Sequence, residues 1–559
     1  MDHAVIPAPA RFDTTGGPGF AFRPGTVVAY ADTPIAPMVG RFCTQIARRT
    51  GLRLAPVHGG PAPAGPSVTI ELAAAREPAG PPAPAALPMP AGLSPGGGDP
   101  PDESYSLVVE NGRVLLLAAE PVGVARGLTT LIQLVAAAPS ASADEIRVPG
   151  ARILDAPRYA WRGLSLDVAR AFFTVEEIRR VIDLLELYKL NVLHLHLTDD
   201  QAWRLAFGHP GASGPAFGHP GASGPALGQP GASPEPGAAF YRDEDLTELV
   251  GYAADRFVTI VPEVDTPGHA SALLGLRPDL KSGRNEVEYE FLPGHRRRAV
   301  WLDPELPATF ELMEQVLARV AAIFPGPYLH IGADEPRGMP DEDYVSYVRR
   351  LRHLVRILGR QPLGWQESAR AGLGPDDVVQ YWLTGLDLPA SAPPQVRAQV
   401  EAEVALSRRD AETVAAASVP VIASPLGHCY LDVPYADPPA DAGAGADAAQ
   451  ADRHGRLGLR VYAPKSIAES FRWEPAETLG PGRAAQVAGV EAAIWAETIS
   501  GFDDLSFLLL PRLPGVAHRA WSDPRHGDWA GHRDRLARHG RLWAQDGLTY
   551  FRAATVDWT

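Results

Sequence analysis

Tyr328-Leu329-His330-Ile331-Gly332-Ala333-Asp334-Glu335 is a short, mostly apolar run that stops at two adjacent acids. Tyr328–Gly332 reads as a buried strand. Neighbouring side chains on a regular strand point to opposite faces, so both acids can serve one pocket only if the backbone leaves strand geometry there. Carboxylates are costly to bury without partners, and a pair at a strand end therefore suggests a polar site. An acidic dipeptide is a weak signal by itself; its weight comes from the chain around it.

From Trp161 onward, predicted strands alternate with helices, the pattern of a parallel sheet with crossover helices. Strands are predicted at Gly163–Val168, Val192–Leu197, Val258–Val261, Tyr328–Gly332, Pro362–Trp365, Val378–Trp382, Val419–Ala423 and Val490–Trp495. Thr174-Val175-Glu176-Glu177 forms a capping box before a helix that buries Ile178, Val181, Ile182 and Leu185. Asp245–Ala254 predicts another helix, and Phe310, Met313, Val316, Leu317, Val320 and Ile323 form the stripe of a longer one. Eight strands is the number of a (β/α)8 TIM barrel, whose catalytic groups sit at the C-terminal strand ends. The expected fold is therefore α/β, with the barrel over residues 151–559 and a small α+β domain over 1–150. In that first domain Thr26–Tyr30, Val68–Leu72, Tyr105–Val109 and Val114–Ala118 predict strands, and Pro37–Thr50 and Val122–Ala136 predict helices.

Three segments break the rhythm. Residues 77–102 are dominated by Pro, Ala and Gly and read as a flexible loop. Residues 207–234 repeat the decapeptide Phe-Gly-His-Pro-Gly-Ala-Ser-Gly-Pro-Ala and then decay; that composition cannot bury a core, so a loop grown by duplication is expected. Residues 436–455, rich in Ala, Asp and Pro, read as a mobile surface loop. The stretch Leu386–Ala417 shows little pattern.

The bulk properties are those of a globular protein: 559 residues, 45% of them hydrophobic, can bury a large core. A net charge of −15 argues against nucleic-acid binding and against a polybasic membrane patch, and no apolar run reaches the length of a membrane span. Cys43 and Cys429 cannot form a disulfide framework. The first residues carry no signal-peptide pattern, so a cytoplasmic setting is expected, or a secreted one if a leader has been trimmed. No metal-ligand spacing is visible, and no metal or other cofactor is expected. The oligomeric state is left open.

Polar and aromatic residues recur at the predicted strand ends. They are Arg170 after the first strand, Asp199 and Asp200 after the second, and Glu263, Asp265 and His269 at the third. Asp334 and Glu335 follow at the fourth, Trp365 and Glu367 at the fifth, Trp382 at the sixth, Tyr430 and Asp432 at the seventh, and Trp495 and Glu497 at the eighth. Carboxylates that accept hydroxyl hydrogen bonds, with indoles that stack on a pyranose face, suit a sugar. His194 and His196 alternate with leucines and read as satisfied core histidines.

The motifs Arg-Gly-x-x-Leu-Asp-x-x-Arg-x-Phe-Phe, His-Leu-His-Leu-Thr-Asp-Asp-Gln-x-Trp-Arg, Pro-Glu-Val-Asp-Thr-Pro-Gly-His, His-Ile-Gly-Ala-Asp-Glu, Gly-Trp-Gln-Glu and Trp-Ala-Glu-Thr occur in that order over about residues 155–525. In these the chain resembles the β-N-acetylhexosaminidases of glycoside hydrolase family 20, whose small α+β domain the N-terminal region is similar to. The resemblance implies an exo-acting enzyme that releases terminal β-linked GlcNAc, or GalNAc, from a glycan. The 2-acetamido group of the substrate would act as nucleophile through an oxazolinium intermediate, an exception to the two-carboxylate scheme of most glycosidases. It further implies Glu335 as general acid and base, its proton retained beside Asp334. Asp334 would orient the acetamido N–H, and Tyr430 would bond the acetamido oxygen. Trp365, Trp382 and Trp495 would wall the pocket. Arg170, Asp432 and Glu497 would bind hydroxyls, and Asp199 and His269 would support the acid pair. Near Leu459-Arg460-Val461-Tyr462 relatives carry a pocket tryptophan, and here Val461 or Tyr462 stands in. Two alternatives remain, a disaccharide-releasing relative such as a lacto-N-biosidase and a non-catalytic sugar-binding barrel. Asp432 and Glu497 argue against the first, and the retained Asp334, Glu335 and Tyr430 against the second.

Overall fold

The computed structural model describes residues 3–59, 65–73, 90–138, 140–142, 144–206, 240–292, 295–440 and 447–558. The decapeptide segment lies outside the described residues. Eight parallel strands close into a barrel: β1 Trp161–Asp167, β2 Val192–His196, β3 Thr259–Thr266, β4 Tyr328–Gly332, β5 Gln361–Trp365, β6 Val378–Tyr381, β7 Val421–Ala423 and β8 Val487–Ile494. Closure is made by β8 pairing with β1, from Trp161 opposite Gly489 to Leu166 opposite Ile494. The largest departure in strand length is β3, which runs through Pro262 to Thr266. The predicted strand ended at Val261, before this proline, which cannot donate to a ladder.

The period of two sorts the barrel interior into layers. Trp161, Val192, Val261, Tyr328, Leu363, Val378 and Ile422 pack together in an apolar layer. Two residues further along several strands stand His194, Glu263, His330, Gln380 and Glu491, all buried. Two further on come His196 and Asp265, also buried. Gly163 permits the middle layer, because a Cβ there would lie 2.2 Å from Glu491 Oε2.

The crossover helices follow the sequence pattern. Val175–Leu187 starts at the expected capping box, in which Thr174 Oγ1 accepts from the Glu177 N–H and Glu177 returns the bond to the Thr174 N–H. Two elements depart from expectation. A hairpin of Glu286–Leu292 and His295–Val300 follows β3. Pro394–Ala417 is a single helix whose buried residues are only Val396, Ser407, Asp410 and Val414, too thin a stripe, half of it polar, to read as a helical face.

In the first domain a seven-stranded mixed sheet carries the helices Ala36–Thr50 and Pro121–Ala137, and Ala151–Asp155 forms one of its strands beside Tyr105–Glu110. The sheet is fastened to the barrel by buried ion pairs: Lys189 with Asp155 at 2.8 Å, and Arg162 with Glu103 at 2.7 Å, while Arg126 of the first domain holds the same Glu103 at 2.7 Å. The described part of the segment predicted as a flexible loop is ordered instead. Leu93 packs on the apolar barrel layer, and Tyr328 donates to the Ser94 carbonyl at 3.3 Å. Likewise, Ala448–Arg456, within the second predicted mobile loop, is a helix capped by Asp447, and Arg456 pairs with the buried Asp504.

Candidate active site

The backbone leaves strand geometry at the end of β4. Gly332, Ala333 and Glu335 have φ of +67°, +74° and +41°. Gly332 is the residue the geometry demands, since a Cβ would lie 1.7 Å from Asp265 Oδ1. The same carboxylate oxygen accepts the Ala333 N–H at 3.2 Å, and Tyr344 donates to the Ala333 carbonyl at 2.7 Å. This held turn lets two consecutive acids share one mouth.

A chain of alternating charges runs to it from β1 and β2. Asp167 Oδ1 accepts the backbone N–H groups of Ala169 and Arg170 and so turns the chain, while Arg170 reaches Asp167 at 3.1 Å, Asp199 at 2.7 Å and Glu497 at 3.5 Å. Asp199 takes His196 at 2.8 Å and His269 Nδ1 at 3.2 Å, and His269 Nε2 faces Asp334 Oδ2 at 3.8 Å. Burial disfavours the charge on Asp199, but Arg170 and His269 overcome it and hold the carboxyl well below the ordinary range. Burial likewise opposes charge on His269, yet Asp199, Asp334 and Asp265 push its pKa well up. Arg170, Asp199, His269 and Asp334 thus come together as one assembly.

The aromatic wall comes from β5 to β8. Trp382 stacks on Tyr430 with centroids 6.0 Å apart and planes at 11°, and Trp495 lies 5.9 Å from both Tyr430 and Trp365. Arg170 sits 5.3 Å from the Trp495 ring. Tyr430 and Asp432 reach the mouth because the segment after β7 runs beside β8, with Leu431 N–H donating to the Ala493 carbonyl at 2.8 Å. The positive φ of Gly458 brings the following loop onto the Asp432 backbone, and Leu459 N–H bonds the Asp432 carbonyl at 2.9 Å. That loop delivers Tyr462, which packs in the cluster of Tyr430, Trp382 and Trp495. Tyr462 is therefore the aromatic residue at the position where Val461 or Tyr462 was expected to stand in.

Among the described residues, three carboxylate oxygens in this mouth are buried without a hydrogen-bond partner: Asp334 Oδ1, Asp432 Oδ2 and Glu497 Oε2. Burial raises the pKa of all three acids; Glu335 adds to the effect at Asp334 and Glu497 at Asp432, while Arg170 restrains it at Glu497. Beneath them Glu263 accepts from Trp365 Nε1 at 2.8 Å and pairs with His196 at 2.5 Å and His330 at 2.9 Å, while His194 contacts Glu491 at 2.9 Å. His194, Glu263 and His330 could face a common ion, although their spacing in sequence shows no such motif. Their ring and carboxylate atoms are largely occupied with one another. His194 and His196 are core histidines, as the alternation predicted.

One electrostatic expectation is reversed. Glu335 was expected to keep its proton beside Asp334. Burial does favour the neutral acid, but Arg337 forms a fork on it, at 2.9 Å from Oε1 and 3.4 Å from Oε2, and with His269 draws the pKa down to about 2. Asp334, Asp432 and Glu497 are raised instead, as is Glu367, which burial and then Asp334 push up to about 8. Glu367 was visible as a strand-end acid but had no role; here Trp382 Nε1 donates to it at 3.3 Å. Arg337 went unnoticed, since nothing in the sequence says which way a residue two places after Glu335 points.

The sequence signature of glycosyl hydrolase family 20, catalytic domain, matches residues 159–524, and that of glycosyl hydrolase family 20, domain 2, matches residues 2–156. A beta-N-acetylhexosaminidase of Cellulomonas fimi is 34% identical over 559 residues, covering 100% of this chain and 97% of that protein. Among solved structures, the GH20 beta-N-acetylhexosaminidase of Streptomyces coelicolor matches with TM-score 0.76 and 31% identity over 100% of this chain and 99% of the other. A mutant Streptomyces plicatus beta-hexosaminidase in complex with product (GlcNAc) matches with TM-score 0.76 and 30% identity over 100% and 98%. With both signatures matched along a barrel whose mouth gathers Asp334, Glu335, Tyr430 and three tryptophans, the chain belongs to glycosyl hydrolase family 20, as a glycoside hydrolase of the β-N-acetylhexosaminidase type.

Proposed function

We propose that the protein removes a terminal, non-reducing β-linked N-acetylhexosamine from a glycan, with the substrate's acetamido oxygen as nucleophile. The observation that carries this reading is the set of three buried, unpartnered carboxylate oxygens in an aromatic-walled pocket, since such acceptors are costly unless a ligand supplies donors. Asp334 Oδ1 would take the acetamido N–H, and Asp432 and Glu497 would take ring hydroxyls. Acids placed deep around the hydroxyls suit a pocket that ends at one sugar, which favours exo action.

In the first step the acetamido oxygen bonds to the anomeric carbon, and the bond to the leaving oxygen breaks as Glu335 gives that oxygen its proton. Asp334 meets the positive charge that develops on the acetamido nitrogen, and Tyr430 holds the acetamido oxygen in line. In the second step Glu335, now ionised, takes a proton from water as the water oxygen bonds to the anomeric carbon and reopens the oxazolinium ring, with net retention.

The test compares aryl β-GlcNAc with the matching aryl β-glucoside, which lacks the nucleophile. Turnover is expected for the first alone, and equal turnover of both would refute the mechanism. Glu335→Gln should lose turnover of substrates with poor leaving groups, and Asp334→Asn most of kcat.

A further inference from the structure

Glu335 cannot give up a proton while Arg337 holds it as a carboxylate, and the structure suggests how that hold is made and released. The Arg337 N–H bonds the Glu335 carbonyl at 2.6 Å across Pro336. This tight three-residue turn sets the two side chains together. From there the guanidinium forks onto both oxygens of Glu335. Its remaining nitrogen, Nη1, bonds Glu403 Oε1 at 2.7 Å, on the helix Pro394–Ala417, and its centre lies 5.6 Å from the Tyr289 ring of the hairpin. Arg337 therefore stands between two carboxylates, one beside Asp334 and one on a separate helix. Glu335 lies in the mouth, with Asp334 beside it, His269 and Arg170 facing it from the ends of β3 and β1, and Tyr462 facing it from the loop that follows Gly458. Glu403 stands on the helix Pro394–Ala417, and the two carboxylates are equally exposed, at 33% and 34%.

We propose that Arg337 is a positioning residue that keeps Glu335 ionised in the free enzyme and passes to Glu403 when a glycoside enters. The inference rests on Glu335 being the general acid. As the guanidinium leaves, Glu335 takes a proton from solvent, and that same proton later goes to the leaving oxygen; no other reactant is needed. Arg337 takes an acceptor site on each oxygen of Glu335, so a glycosidic oxygen that approaches the acid on that side displaces the guanidinium, and binding and release of the acid are coupled. The cation moves between two anions without being left unpaired, which keeps the exchange from stranding a buried charge.

The experiment is a pair of pH profiles, of kcat/KM and of kcat, for phenyl β-GlcNAc with wild type, Arg337→Gln, Arg337→Lys, Glu403→Gln and Glu335→Gln. The kcat/KM profile reports the free enzyme and the kcat profile the bound one. Arg337→Gln frees Glu335 from about 2 toward the ordinary 4.5, so the alkaline limb of kcat/KM moves up by about two pH units. The limb of kcat stays in place, because Arg337 has already left in the complex. Arg337→Lys keeps a cation and leaves the kcat/KM limb near its wild-type position. Glu403→Gln takes away the second anion and lowers kcat/KM. If Arg337→Gln lowers both parameters at every pH without moving the limb, Arg337 only braces the turn and the proposal is wrong. If Glu335→Gln hydrolyses phenyl β-GlcNAc as wild type does, the assignment of the acid itself falls, a different result from the first.

Discussion

Replacing Asp199 by Asn removes one negative charge from the centre of the Arg170–Asp199–His269–Asp334 chain with almost no change of shape. Asp199 is buried and touches Arg170 at 2.7 Å, His196 at 2.8 Å and His269 at 3.2 Å. Deleting one member of a buried ion pair costs about 3–5 kcal/mol, chiefly because the partner's charge stays buried. Asn keeps one acceptor and Arg170 keeps Asp167, so the expected loss is at the low end, about 3 kcal/mol. The loss depends on pH in a definite way. Asp199 has a depressed folded pKa, so its share is present above the unfolded value of 3.8 and is lost as pH falls through the folded one. His269 has a raised folded pKa, so its share is complete below the unfolded value of 6.5 and is lost as pH rises through the folded one. The gap between wild type and Asp199→Asn is therefore widest between about pH 4 and 6.5 and narrows on either side. It does not close in alkali, where Arg170 remains charged. Urea unfolding followed by tryptophan fluorescence at pH 5.5 and pH 9 measures it. A difference that is equal at the two pH values, or below about 1 kcal/mol at pH 5.5, would refute the coupled-network reasoning.

Two further substitutions test the site's construction. In Glu367 the unfolded chain ionises near 4.5 whereas the folded one holds its proton to about 8, so stability falls with rising pH across that window. Glu367→Gln removes the ionisation and should be more stable than wild type at pH 8 but equal to it at pH 4; melting curves at both values decide. Gly332→Ala forces a Cβ to 1.7 Å from Asp265 Oδ1 on a backbone with φ of +67°. The conformation alone costs about 1–2 kcal/mol for a non-glycine residue. The displaced Asp265 also lets the turn move, and an ångström of misplacement can cost about 100-fold in rate. A variant with wild-type kcat would show that the turn does not aim the acids.

Eight short apolar runs and the strand–helix alternation were enough to specify a barrel, because both are local consequences of which side chains must be buried. That the acids, Arg170 and the indoles would meet at the barrel mouth was legible for a related reason: polar and aromatic groups placed just after apolar strands have one common destination, the mouth. Local pattern could not show Pro394–Ala417 as a helix, since most of its surface faces solvent and its alanines and charges leave no broad stripe. It also could not show that residues 90–98 lie against the barrel, a contact made by Leu93 and Ser94 with strands distant in sequence.

The charge state of the site was decided by tertiary structure alone. Adjacency in sequence suggested that Asp334 would keep Glu335 protonated, but Coulomb interactions follow distance in space, and the turn at Pro336 sets Arg337 closer to Glu335 than its sequence neighbour's influence can offset. The sequence by itself determined which chemical groups the mouth contains. The fold determined which of them carry charge, because only folding turns Arg337 onto Glu335 and brings His269 from a distant strand end to it.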